Sequence, residues 1–365
     1  MAISTTERAE LRAAVKDLLD DGCTESDVRR VMDSDDGFDR TLWRRLAEQG
    51  VTGMLIEPEY GGIGLGVLEA EAVAEETGAV LLPAPFISSS VLTTALIQAA
   101  GSDEDRARLL PSLAAGSSIG TVAITGTAGT WTADGVDVRA NADGTLSGTS
   151  HYVIFGQAAD VILVVARGAD GVGIFETAPD AKGFTRTAAT VFDPTVRLST
   201  FTFDGTPARR LGDADWSAVQ HALDLAVVTM AGEQVGGARR IFDITVEYLK
   251  TRIQFGRPIG SFQALKHMAA DLLLDVESAT SAARHAATSI EDHENSSGAV
   301  ALAAFACADA YLTTAMQAVQ MHGGIAFTWE HPAHLYLRRA RSGLQLFGSS
   351  AAHRERYLVS KGARG

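Results

Sequence analysis

Hydrophobic and polar positions change their period twice along the chain. From Met1 to about Gly116 the apolar residues recur at three- and four-residue spacing, as in Asp39–Val51, Leu68–Leu82 and Glu104–Gly116. That spacing predicts helices interrupted by Gly and Pro, with the run Glu57–Gly66 (EPEYGGIGLG) as a loop. From about Ser117 to Gly212 the pattern alternates or runs β-branched, as in Val136–Gly156, Ala159–Glu176 and Val196–Thr206. These segments predict strands of a compact β-domain, with Asp-Gly hairpins at Ala142–Thr145 and Ala169–Val172. From Asp213 the helical period returns in four long segments beginning at Trp216, Ser261, Ala301 and His331, joined by short connections. Four such amphipathic segments predict an antiparallel bundle. The chain therefore divides into 1–116, helical; 117–212, β; and 213–365, helical.

Length and composition narrow the setting. The 365 residues suffice for two or three well-cored domains. Against 31 basic residues stand 45 acidic ones, a net charge of −14. Such a surface repels polyphosphate backbones, which argues against a nucleic-acid partner. A polyanionic cofactor then needs a local Arg or helix-terminus site. No stretch reads as a membrane span, and the N-terminal residues read as an amphipathic helix rather than an export signal. Cys23 and Cys307 are the only cysteines, so neither a disulfide framework nor a Cys-based metal site is expected, and a reducing cytoplasm is the natural compartment.

Three places carry chemistry. Arg252–Gln263 (RIQFGRPIGSFQ) ends one helix and begins the next, broken by Gly256 and Pro258. Arg252 falls in the last turn, where a guanidinium can grip a pyrophosphate in bidentate fashion or simply complement the helix dipole at a corner. Ala318–His331 runs a helix into Gly323-Gly324, so backbone can approach a ligand beside Gln320; a Gly helix stop followed by a buried His322 is the plainer reading. Glu233 is the single charged residue between Leu225 and Ala238. Such a carboxylate is either exposed or ion-paired, or it faces a pocket where desolvation makes it a base.

These segments, in this order and on this three-part layout, resemble the acyl-CoA dehydrogenase family over roughly Thr41–Tyr357. The resemblance implies an α+β fold: an N-terminal helical domain, a middle β-domain and a C-terminal four-helix bundle. It implies FAD, with Arg252 and Phe255 at the pyrophosphate and adenine end and Gln320 and Gly324 completing that site from a neighbouring subunit. Thr125 stands where the family places a hydroxyl near the flavin ring, and Ser349 where a family Thr meets the cofactor phosphate. The implied reaction is α,β-dehydrogenation of an acyl-CoA thioester, with electrons passed to an electron-transfer flavoprotein. The implied assembly is a homo-oligomer, or a pairing with a homologous subunit.

Several positions depart from the family pattern. The β-domain motif reads Thr125-Gly126-Thr127 with no acid directly after it, Tyr152 stands nearest the usual Trp, and Ala326 replaces a Gly. Leu346–Ser349 replaces a Tyr-Glu-Gly-Thr stretch, so the usual catalytic carboxylate is absent, and a second family position falls on Ala226. Bacterial members that lack the C-terminal Glu, steroid-side-chain enzymes among them, carry their base on the same helix as Glu233, which makes Glu233 the candidate. The alternatives are a non-catalytic subunit of a heteromeric dehydrogenase and another flavin-dependent acyl-CoA-modifying enzyme on the same scaffold.

Overall fold

The computed structural model describes residues 3–293 and 295–363. Its first helices are α1 (Thr5–Gly22), α2 (Glu25–Met32), α3 (Arg40–Glu48), α4 (Val67–Ala79), α5 (Thr94–Ala100) and α6 (Asp103–Ala114). Eight strands follow: β1 (Gly120–Ala123), β2 (Arg139–Ala140), β3 (Thr145–Ile154), β4 (Val161–Gly168), β5 (Gly171–Thr177), β6 (Phe184–Ala188), β7 (Leu198–Pro207) and β8 (Arg209–Arg210). Then come α7 (Trp216–Thr251), the short strands β9 (Ile253–Gln254) and β10 (Arg257–Pro258), α8 (Gln263–Glu291), α9 (Ser297–His322), α10 (Ala333–Gly343) and α11 (Ser350–Ser360). By contacts the chain forms two compact units.

The first unit holds Arg29–Ala70 and Pro83–Ala226 together with the first few residues. Its sheet runs β6-β7-β3-β2-β4-β5-β8, with β1 pairing parallel to β4. Val161–Ala166 of β4 is buried on both faces, as its unbroken apolar run requires. Period-two alternation on β7 turns Phe201 and Phe203 inward, where they meet Leu146, Val153 and Val164. Phe184 joins them, its ring 5.0 Å from Phe201 edge-on and 5.2 Å from Phe203 stacked. Both hairpins form, each beginning one residue earlier than the alternation placed it: the first closes over Asn141–Thr145, and in the second Gly168 pairs with Gly171, so Ala169-Asp170 is the tip. Helix starts are capped locally: Asp39 accepts from Thr41 and Leu42, and Ser102 with Asp105 makes a capping box. The spacing rules did not single out the π-helical run Phe86–Thr93, wholly buried, which leads into α5.

The second unit holds Arg8–Val28, Glu71–Leu82 and Val227–Gly365. Here the C-terminal part of α4 lies against α7 backbone to backbone. A Cβ at Gly78, Gly232 or Gly236 would sit 1.9, 2.4 or 1.8 Å from the carbonyl oxygen of Glu233, Glu71 or Glu75. Only glycine allows that approach. α9 is rich in Ala and packs against α8, α10 and α11. By length and composition alone the stretch Ser297–Phe327 is apolar enough to cross a membrane, which corrects the expectation that no segment comes close; half of it is buried inside the fold, as a bundle's central helix requires. The last expected long helix is broken at 344–349 into α10 and α11, with Phe347 left-handed at φ 62°.

Candidate functional site

The end of α7 and the end of α9 come together. α7 stops at Thr251, so Arg252 stands one residue past the helix instead of in its last turn. The connector is not a plain corner but a two-stranded hairpin, β9–β10. Its central residues Phe255 and Gly256 are both left-handed, at φ 53° and 77°, the type I′ pattern that suits a two-residue hairpin. Phe255 is thereby pushed out to 91% exposure. The Arg252 backbone is fixed, its N–H donating to Tyr248 (2.9 Å) and its carbonyl accepting from Ile259 (2.8 Å), while its side chain is exposed.

Gln320 lies exposed on the last turn of α9 and Gly324 in the 3-10 turn Gly323–Phe327. Nothing lies within 4 Å of where a Cβ would stand on Gly323 or Gly324, so that backbone is open. The Tyr248 ring stacks on His322 at 4.5 Å and its hydroxyl donates to the His322 carbonyl at 3.4 Å. Leu249 and Met321 share one apolar cluster with Phe242 and Leu272. One end of the bundle therefore presents a guanidinium, an exposed ring, a carboxamide and open glycine backbone. That donor set fits a pyrophosphate and an adenine, and so fits the ADP half of FAD.

Glu233 is held by an ion pair. Its Oε1 accepts from Nη1 of Arg339 at 2.8 Å, and both side chains are largely buried. The other guanidinium branch donates to the carbonyls of Leu81 (3.4 Å) and Leu82 (3.3 Å), where Leu81 is left-handed at φ 55°. Of the two readings of a lone acid in an apolar run, the ion-paired one describes this geometry. Sequence reasoning missed Arg339. Arg339 is one of three arginines on α10, with Arg338 and Arg341, and nothing in the sequence separates the one that turns inward. Ala226 and Phe347, where the family carboxylates fall, are both buried and apolar. Beside Phe347 is a cavity of about 10 Å³, lined by Met230, Gln234, Leu346, Gly348 and His353, with room for about one water. Ser349 caps α11, its Oγ accepting from Ala352 at 3.3 Å.

Thr125, in the first unit, is buried, and its hydroxyl reaches Gly126 O only at 3.5 Å, which leaves it capacity for another partner. Its carbonyl accepts from Ser150 Oγ and the His151 N–H, both at 2.9 Å. Asp137, which sequence reasoning passed over, accepts from the Thr127 N–H at 2.8 Å and anchors this loop in place of an adjacent acid. The β3 ladder is irregular between Ser150 and Val153, and there Tyr152 turns outward at φ 57°.

Elsewhere in the second unit a charged cavity of about 340 Å³ is lined by Arg12, Glu75, Arg239, Arg240, Thr280 and Arg284, among others. Arg12 pairs with Glu75 and Glu76, and Arg284 with Glu75 at 3.3 Å. Neighbouring Glu71 is buried, its Oε1 without a hydrogen bond among the described residues. Burial, and then the adjacent Glu75 charge, push its carboxyl up to about 8. None of the residues singled out from the sequence lines this cavity.

Residues 5–117 match the acyl-CoA dehydrogenase N-terminal domain and residues 216–358 the acyl-CoA dehydrogenase C-terminal domain. The chain is 36% identical over 343 residues to acyl-CoA dehydrogenase IpdE2 of Mycolicibacterium smegmatis, covering 94% of each chain. Its structure resembles the Tcur3481-Tcur3483 steroid ACAD with TM-score 0.90 and 31% identity, covering 98% of this chain and 99% of that one. It also resembles the ChsE4-ChsE5 complex of Mycobacterium tuberculosis with TM-score 0.91 and 29% identity, covering 100% and 99%.

Proposed function

The chain belongs to the acyl-CoA dehydrogenase family, and we propose that it serves FAD-dependent α,β-dehydrogenation of an acyl-CoA thioester as a subunit of an assembly in which a second, homologous chain completes the cofactor site. The observation that carries this reading is the outward-facing set Arg252, Phe255, Gln320 and Gly324 at one end of the bundle. Polar groups aimed into solvent beside bare aromatic surface are what a shared site looks like from one side. The Arg252 guanidinium would take the pyrophosphate, Phe255 the adenine face, and Gln320 with the Gly324 backbone the remaining polar atoms. Thr125 would donate its under-used hydroxyl to the ring end of the cofactor, and Ser349 would meet a phosphate oxygen.

When bound, FAD supplies the acceptor for the β-hydride. The protein has to supply a carboxylate for the α-proton, and Glu233 is this chain's candidate. To act, it must work through the oxygen that Arg339 does not hold, or release Arg339. The buried pair also favours a second reading, in which Glu233 is structural and the base comes from the homologous chain. An acyl group with a steroid skeleton suits both readings, given the likeness to the steroid ACAD, and an electron-transfer flavoprotein suits the reoxidation. A reducing cytoplasmic setting fits the buried Cys23 and Cys307, which are not joined in a disulfide.

The test is purification of this chain alone and with a homologous partner, followed by FAD quantitation and an acyl-CoA bleaching screen on the parent and Glu233→Gln. If Glu233 is the base, whatever variant remains folded and flavin-loaded bleaches at least about 100-fold more slowly. If the pair is structural, the variant strands the Arg339 charge and loses about 3–5 kcal/mol of stability, with bleaching unchanged in whatever remains folded. Failure of every acyl-CoA to bleach the flavin, in both preparations, would overturn the proposed activity.

A further inference from the structure

Between Gln320 and α10 the chain makes an unusual aromatic stack. His322 is 4% exposed and lies against Tyr248 on one side (4.5 Å) and His331 on the other (4.4 Å). Its Nδ1 is 2.8 Å from the Ala318 carbonyl, which assigns the proton to Nδ1 and leaves Nε2 with the lone pair. That Nε2 is buried without a hydrogen-bond partner among the described residues. In His331 the arrangement is reversed: its Nδ1 accepts from the Ala333 N–H at 3.2 Å, at the start of α10. His334 bonds through Nε2 to the Trp329 carbonyl at 3.2 Å and stacks on that indole at 4.6 Å.

His322 and His331 are therefore both accommodated as neutral imidazoles. A proton on His322 Nε2 would be a buried charge with no acceptor, and a proton on His331 Nδ1 would break the bond to Ala333. Charges around the stack add to this. Arg338 stands 5.8 Å over Trp329, the three imidazoles repel one another when charged, and Glu25 is the anion that opposes them at His331. The segment begins at Gly323, whose φ of 65° and ψ of −140° suit glycine and few other residues.

We propose that the segment 323–334 is a pH-sensitive flap, closed through His331 on the His322 ring at the end of α9 while both imidazoles are neutral, and released when either takes a proton in mildly acidic solution. Since Gln320 and Gly324 bracket the stack, release would dismantle that half of the cofactor site; this consequence rests on the function proposed above, whereas the switch itself does not. The direction of titration agrees. Burial holds His322 below the usual imidazole value against the Ala318 bond, and burial together with the His322 charge does the same to His331. The released segment titrates near the ordinary histidine value of about 6.5, so it binds more protons than the closed one, and closure weakens as pH falls through that value.

Hydrogen exchange of the apoprotein tests the flap without reference to catalysis. Between about pH 7.5 and about pH 5.5, protection of the peptide spanning Gly323–His334, corrected for intrinsic rates, should fall about tenfold or more. His331→Gln should reduce that fall, His331→Gln with His322→Leu should abolish it, and the exposed-helix control His285→Gln should leave it unchanged. Flavin retention in the loaded protein should drop over the same interval. The flap is overturned if protection is flat across the interval, or if the double variant loses protection as the parent does. A fall in protection without flavin binding at any pH would uphold the flap and count against the cofactor reading alone.

Discussion

Burial inside the second unit strips Glu71 of water while Glu75, one turn further along α4, adds a like charge. Glu75 has Arg12 and Arg284 to neutralise it; Glu71 answers by keeping its proton. Folded, the carboxyl titrates at about 8; unfolded, it reverts to 4.5. The folded chain thus holds the extra proton between those two values, so this group's contribution to stability is complete below 4.5, shrinks as pH rises and is lost above about 8. Glu71→Gln keeps the shape and removes the titration. Chemical denaturation should find the variant more stable than the parent by about 4–5 kcal/mol near pH 8, a gain that all but vanishes near pH 4.5. A gain that is the same at both pH values would show that packing, not the proton, is responsible. Nothing in the sequence marked Glu71, because a Glu at helical spacing usually faces water and only the close approach of α4 to α7 takes this one out of it. Glu233 was legible as a lone acid for the opposite reason: its surroundings are apolar in sequence as well as in space. Its partner Arg339 was not, since the pairing joins α7 to α10 across about a hundred intervening residues.

Periodicity reports what each element does with its own side chains, and at this scale most of the fold was legible. The two Asp-Gly hairpins, the continuously apolar β4 and the long bundle helices all follow from local spacing. What it could not report is how the chain passes between elements. Gly256 and Pro258 signal a break after α7, but a break is compatible with a corner or a hairpin; the left-handed Phe255, rare for an aromatic, decides for the hairpin. That difference bears on Arg252, which the hairpin holds by its backbone while its guanidinium stays exposed. Arg252→Ala should therefore leave the stability of the apoprotein within about 0.5 kcal/mol of the parent, as an exposed site past a helix end does. FAD retention should fall much further, because each charge-assisted hydrogen bond to a pyrophosphate contributes about 1.5–3 kcal/mol. Dialysis followed by flavin quantitation and a thermal melt separates the two effects. Full flavin with a lowered melt would return Arg252 to the role of a helix-end cation.

For the molecule as a whole, the end of the bundle that carries Arg252 and Gly324 also carries apolar surface out of proportion to a finished exterior. Phe255 is 91% exposed, Phe327 81%, Trp329 55% and Ile253 54%. Exposed rings in one neighbourhood are usual where a second chain docks, and burying one Phe side chain contributes about 1.5–3 kcal/mol. A net charge of −14 opposes self-association at long range, so these contacts have to supply the affinity, and a homologous partner with a less acidic face would meet less repulsion than a second copy would. Light scattering should find an oligomer in every flavin-loaded preparation, whether of this chain alone or with such a partner. Replacing both Phe255 and Phe327 by Ser removes two such burials without touching the polar donors. Dissociation should then strengthen by roughly two orders of magnitude or more, and flavin should leave in step with it. Flavin and oligomer lost together would tie the cofactor site to the interface. A monomer that keeps one FAD per chain would show that this bundle end needs no second chain.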